Sequence, residues 1–210
     1  MQKQLNVKKL ALIAMLGALA AALHTIRFPL PFAPSFLDFD VAELPCLFAG
    51  FFLGPVAGTL VVLVKIALKL LLQGTNTAFV GDFSNFFQSI MFMLPAALIY
   101  KKMHSKKGAI VGMITGTLVA SVFAIFSNTF VMFPLYSSIY GMPMEAIIGM
   151  GSAVNPLVHD ELTMMLFSVL PFNLVKFTAT SVLTYLTYKR VGSTLRSMIA
   201  PKNAAVQHAK

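Results

Sequence analysis

The stretch GAIVGMITGTLVASVFAIFSNTFVMF, residues 108–133, carries no charged side chain from end to end. A helix needs about 20 apolar residues to cross the roughly 30 Å hydrocarbon core of a bilayer, so this run is long enough to span it. Working outward, residues 10–26, 56–72, 85–100 and 162–188 read as further spans. Residues 42–53 are equally apolar but short for a crossing, and Gly54-Pro55 marks the turn that follows them. Over all 210 residues, 58% are apolar and 11% charged, whereas a soluble domain carries about 25% charged residues to coat its surface. Residues 10–26 follow a basic start and could be a cleavable signal. Their alanines continue through the whole run and more spans follow, so they are read as a retained helix.

Sixteen basic and seven acidic residues give a net charge of +9, and their placement is asymmetric. Lys3, Lys8 and Lys9 precede the first span. Lys101, Lys102, Lys106 and Lys107 fill the connector after Tyr100, and Lys189, Arg190, Arg196, Lys202 and Lys210 follow the last span. The acids Asp38, Asp40, Glu43, Asp82, Glu145, Asp160 and Glu161 all lie in the other set of connections. By the positive-inside rule the basic segments are cytoplasmic and the acidic ones face out. The expected fold is therefore an all-α integral membrane protein of six transmembrane helices with N and C termini cytoplasmic. It is a single six-helix membrane domain over residues 1–190 with a basic cytoplasmic tail over 191–210. Basic loops beside apolar spans account for the high net charge, so no nucleic acid is expected as a partner.

Several chemistries are disfavoured. The single cysteine, Cys46, can form neither an intramolecular disulfide nor a thiolate metal site by itself. No G-x-x-x-x-G-K-[ST] phosphate loop occurs, so the chain is not a P-loop ATPase on its own. Ser152 and His159 fall in a segment expected outside the bilayer, and the consecutive His159, Asp160 and Glu161 would diverge around a helix rather than converge on a metal. No catalytic residue, metal or cofactor is assigned, and a small membrane enzyme is kept only as an alternative.

Polar groups at membrane depth are where function is sought, because an ionised side chain at mid-span costs about 3 kcal/mol on insertion scales. Lys65, Lys69 and Lys176 qualify. Lys65 and Lys69 are four residues apart and share a helix face. Lys69, one turn from Gln73, reads as snorkelling to the interface. Lys65 is deeper, and two readings stay open: hydrogen bonds to carbonyls of a neighbouring helix, or the wall of a hydrated cavity. In LPFNLVKF, residues 170–177, Pro171 loosens the preceding turn while Asn173 and Lys176 project from one face. Asn128 in FSNTF adds an amide, with Phe126, Phe130, Phe172 and Phe177 as apolar company. In the first span Ala14, Ala18 and Ala22 recur every fourth residue, with Gly17 and Ala21 widening the smooth face; such a ladder suits close helix approach, internal or to a partner.

The strings LDFDVAELP (37–45), LGPVAG (53–58), LLQG (71–74), SNF (84–86), FSNTFVMFPLY (126–136) and LPFNLVKF occur in this order. Together they resemble the riboflavin-specific S component of energy-coupling-factor vitamin transporters, over nearly the whole chain. The resemblance implies a multi-pass protein of a bacterial plasma membrane that captures riboflavin or its phosphate FMN from outside. A transmembrane T subunit and two ATPase subunits would supply the energy; an S component for another vitamin is the alternative. It implies Asn128, Asn173 and Lys176 against the polar edge of the flavin. Leu37, Phe39, Asp40, Val41 and Leu44 would form a cap, with Asn85 and Lys65 as further binding candidates and Ala14, Ala18 and Ala22 docking on the T subunit. Where relatives often have a glutamate and an asparagine flanking the lysine of the third helix, this chain has Val62 and Ile66 around Lys65, so that lysine is expected to lack its usual acidic partner.

Overall fold

The computed structural model describes residues 7–75 and 77–199. Helix α1 (Val7–Thr25) leads into a two-residue hairpin, β1 (Phe28–Pro29) against β2 (Asp38–Phe39), with Phe28 opposite Phe39 and Pro29 opposite Asp38. Then follow α2 (Glu43–Leu53), α3 (Pro55–Gln73), α4 (Val80–Met103), α5 (Lys106–Tyr140), the short α6 (Met144–Ser152) and α7 (Glu161–Ile199). Five of these, α1, α3, α4, α5 and α7, are long and apolar enough to cross a membrane. Helix α2 reaches only about 16 Å at 1.5 Å per residue, half of a hydrocarbon core. Gly54, at φ +99°, makes the turn into α3, and Pro55 occupies the first turn of that helix, where no amide proton is needed.

Two proline positions explain where the boundaries differ from expectation. Residues 134–161 read from the sequence as a segment outside the bilayer beginning at Pro134; α5 runs on without a break into this segment as far as Tyr140, and α6 forms within the remainder. A proline inside a helix clashes with the carbonyl four residues back. Here a wide π turn over Asn128–Met132, closed by Phe133 N–H to the Asn128 carbonyl, comes just before Pro134 and relieves that clash. The same device recurs in α7: a π turn over Met165–Val169 precedes Pro171, in line with the loosening expected there. Helix α7 also runs on past position 190 as far as Ile199, so the first part of the tail expected over 191–210 is helical. Lys3, Lys202 and Lys210 lie outside the described residues.

The main core packs α1 to α5 against α7, with Leu47, Phe48, Val61, Phe92, Met93, Ala96 and Phe177 almost fully buried and the Phe92 and Phe177 rings stacked at 4.6 Å. Close approach uses small residues: a Cβ at Gly112 would sit 2.6 Å from the Ala96 carbonyl oxygen, so α4 and α5 touch backbone to backbone. A second cluster, including Val80, Met132, Phe133, Ile147, Val158 and Met164, gathers α6 and the two π turns at the other end.

The small-residue face of α1 is divided. Gly17 and Ala21 are buried, and a Cβ on Gly17 would collide with Val64 of α3, whereas Ala14, Ala18 and Ala22 are exposed. Gly17 and Ala21 therefore do not widen the alanine ladder: both are buried inside the subunit, Gly17 at the α1–α3 contact.

Candidate functional site

The π turns set the two asparagines in place. Asn128 opens the turn in α5 and donates its amide Nδ2 to the Ala124 carbonyl at 2.8 Å; Asn173, one turn beyond the π turn in α7, donates to the Val169 carbonyl at 2.8 Å. Each amide thus serves a backbone carbonyl of its own helix, which fixes its orientation. Asn173 Oδ1 also accepts from Gln88 Nε2 at 3.2 Å. Both asparagines border a cavity of about 290 Å³ together with Lys176 on the same face of α7. Its volume is at the small end of the range for ligand sites, roughly 300–1,000 Å³.

Four ion pairs surround this space, and they organise it. Lys176 Nζ lies 2.8 Å from Asp40 Oδ2, which also meets His24 Nδ1 at 3.2 Å, while Asp40 Oδ1 accepts the Ala42 amide at 2.9 Å. Burial pushes the Asp40 carboxyl toward neutrality, but the Lys176 ammonium and the His24 contact prevail and hold it far below the usual carboxylate range. Lys69 Nζ lies 2.6 Å from Asp82 Oδ1 and 3.0 Å from the Gly74 carbonyl. Arg27 pairs with Asp38 at 3.4 Å across the hairpin. Lys65, fully buried, gives its ammonium to Glu43 Oε1 at 2.6 Å, Asn85 Oδ1 at 2.8 Å and Ser89 Oγ at 2.6 Å, so three oxygens match its three donors.

These pairs correct the reading of both α3 lysines. Lys69 does not snorkel: it is buried, lines the cavity and is paired with an acid. Lys65 does not lack an acidic partner; Glu43, from the LDFDVAELP string, supplies the carboxylate that the neighbouring positions of α3 do not. Its partners are side chains rather than the carbonyls of a neighbouring helix, and it is not among the residues that border the cavity. Three acids expected in solvated connections, Asp40, Glu43 and Asp82, are withdrawn from solvent, because an intramembrane lysine is tolerated only beside a compensating charge.

Of the residues singled out from sequence, Asn128, Asn173, Lys176, Leu37, Asp40 and Asn85 line the cavity together, as do Phe172 and Phe177. Phe39, Val41 and Leu44 do not: Phe39 packs on Phe28 at 5.3 Å between centroids and Leu44 packs against the main core. Phe126 and Phe130 stack on each other on the outside of α5, away from the cavity. Sequence reasoning missed His24, Lys69, Asp82, Gln88 and Tyr136 in the lining. The available signal was numerical: three lysines within spans require compensating acids, but nothing in the sequence marked which of the seven acids supply them.

Comparison with known proteins agrees with this architecture. Residues 8–188 match the family described as ECF transporter, substrate-specific component. The riboflavin transporter RibU of Staphylococcus aureus (strain TCH60) is 34% identical over 93% of this chain and 97% of its own length. The riboflavin transporter FmnP of Bacillus subtilis (strain 168) is 30% identical over 82% of this chain and 85% of its own. A solved structure described as "Structure and mechanism of the S component of a bacterial ECF transporter" superposes with a TM-score of 0.69 at 35% identity, covering 90% of this chain and 97% of that one. A match across nearly every helix and a fold that superposes with a solved S component make this chain a member of the ECF transporter substrate-specific component family.

Proposed function

We propose that the chain captures riboflavin in the cavity between α4, α5 and α7 and delivers it to the cytoplasm when docked on a transmembrane T subunit energised by two ATPase subunits. The observation that carries this is the convergence of Asn128, Asn173 and Lys176 on one cavity in a chain whose named relatives are riboflavin transporters. The pyrimidine-dione edge of a flavin alternates carbonyl acceptors with an N–H donor. An amide presents both kinds of partner, and the Lys176 ammonium, which gives one donor to Asp40 and a second to the Asp38 carbonyl at 3.4 Å, keeps a third for a carbonyl of the ring. Phe172, Phe177, Leu37 and Met132 offer apolar wall to the ring.

Charge favours the neutral vitamin over its phosphate. Arg27, Lys69 and Lys176 border the cavity and each is already paired with a carboxylate, so the described lining offers a phosphate no unpaired ammonium or guanidinium. The cavity is taken to open to the outside, with α2 as the sixth, shallow span and both termini in the cytoplasm of a bacterium, supported by the basic clusters beside Tyr100 and Tyr188. The test is optical: protein solubilised in detergent and supplied with riboflavin should retain it and be yellow after gel filtration, and FMN should bind at least about tenfold more weakly. Colourless protein, or equal affinity for FMN, would refute the respective part of the reading.

A further inference from the structure

A second cavity, of about 490 Å³, lies between α5 and α7 and is almost wholly apolar. Ile110, Ile114 and Leu118 recur every fourth residue along one wall, and Leu174, Thr178 and Val182 do so along the other. Short side chains at Thr117 and Ser181 leave the space unfilled, and their hydroxyls stand 3.5 Å apart, each the other's polar neighbour. From Leu174 to Tyr185 the groove extends about 16 Å along α7, close to half of a hydrocarbon core and so to the depth of one leaflet.

Its two ends differ in charge. At the Tyr185 end the Lys106 ammonium lies 4.3 Å from the centre of the Tyr185 ring. Lys101, Lys102, Lys107, Lys189 and Arg190 follow in the same basic clusters, and no salt bridge among the described residues engages any of these six. A tail-sized apolar groove that ends in unpaired cations matches a molecule with a long hydrocarbon chain and an anionic head. We infer that the α5–α7 groove holds one acyl chain of an anionic phospholipid, its phosphate held by Lys106 beside Tyr185. Surface lysines attract anionic lipid by about 1 kcal/mol each, roughly a fivefold preference, while the groove gives the chain a fixed place.

The absence of tryptophan from the chain makes a direct test possible. A Val182→Trp reporter at the groove rim is placed in phosphatidylcholine nanodiscs containing a minor fraction of either phosphatidylglycerol or phosphatidylcholine with brominated acyl chains. Quenching should favour the brominated phosphatidylglycerol by roughly fivefold in apparent affinity, and Lys106→Gln should remove the preference. Leu63→Trp, exposed on α3 away from the groove, should show no preference. Should Val182→Trp fail to fold, Leu118→Trp reports from the same groove. Equal quenching by the two lipids at the groove, the same preference at Leu63→Trp, or a preference that survives Lys106→Gln would each overturn the inference. Quenching by neither lipid would mean that no acyl chain enters the groove, and would overturn it too. No flavin enters this measurement, so its failure and that of the riboflavin reading are distinguishable.

Discussion

Lys176 of α7 and Asp40, 136 positions earlier, meet at 2.8 Å and tie the last helix to the segment that leads into α2. This contact joins two walls of the proposed flavin site, since Asp40 and Lys176 both border the cavity. Lys176→Met should lower riboflavin affinity by roughly tenfold or more, since a hydrogen bond to a charged group is worth about 1.5–3 kcal/mol. It should also destabilise the fold by about 3–5 kcal/mol by leaving Asp40 buried without its main counter-charge. Asp40→Asn combined with Lys176→Met should recover most of the stability but not the affinity. Melting curves and fluorescence titrations separate the two, and recovery of both together would mean that Lys176 has only a structural role.

Lys69→Met should be nearly as damaging to stability, by about 3 kcal/mol, because Asp82 is buried and its Oδ2 has no hydrogen-bond partner even with the lysine present. Replacing both members, Lys69→Met with Asp82→Leu, should restore a protein that melts near the parent temperature. If Lys69→Met alone melts like the parent, the pair is solvated and the snorkelling reading of this lysine returns.

Helix α1 provides a matched comparison. Ala14→Trp and Ala18→Trp alter an exposed stripe and should abolish uptake in cells while riboflavin binding to the isolated subunit stays within about twofold, the signature of a docking surface. Gly17→Leu, one position from the stripe, would force a side chain into Val64 and should lower expression and melting temperature instead. Uptake that survives both tryptophans would rule the stripe out as the T-subunit contact.

Asp40 also sets a pH response. Its carboxyl is held below the unfolded value of about 3.9, so the stabilisation it confers is fully present above about pH 5 and lost as the pH falls toward the folded value. The melting temperature should therefore drop below about pH 5, and Asp40→Asn should flatten that drop while starting from a lower plateau. An unchanged acid limb in Asp40→Asn would assign the effect to other carboxylates.

Topology is open to a labelling test. With Cys46 replaced, a single cysteine at Ser152 should react with membrane-impermeant maleimide in intact cells, and one at Ser105 only after the membrane is permeabilised. Reaction of both from outside would refute cytoplasmic termini.

Membrane residence and the approximate positions of the long spans along the chain were legible in the residues themselves, because transfer into hydrocarbon is costed side chain by side chain and does not depend on which partner is met. The uncharged residues 108–133 could be nothing but a span, and Asn173 and Lys176, three apart on one helix, had to share a face. Which acid neutralises which lysine was not legible. Lys65 meets Glu43, Lys69 meets Asp82 and Lys176 meets Asp40 across separations of 22, 13 and 136 positions, and each choice depends on how far one helix is rotated and shifted against another. Packing sets that rotation through contacts such as Gly112 on Ala96, and the π turns then rotate the Asn128 and Asn173 faces by an amount that no hydrophobic periodicity records. The fold class follows from solvent and composition; the site follows from register between helices, and only the tertiary structure decides it.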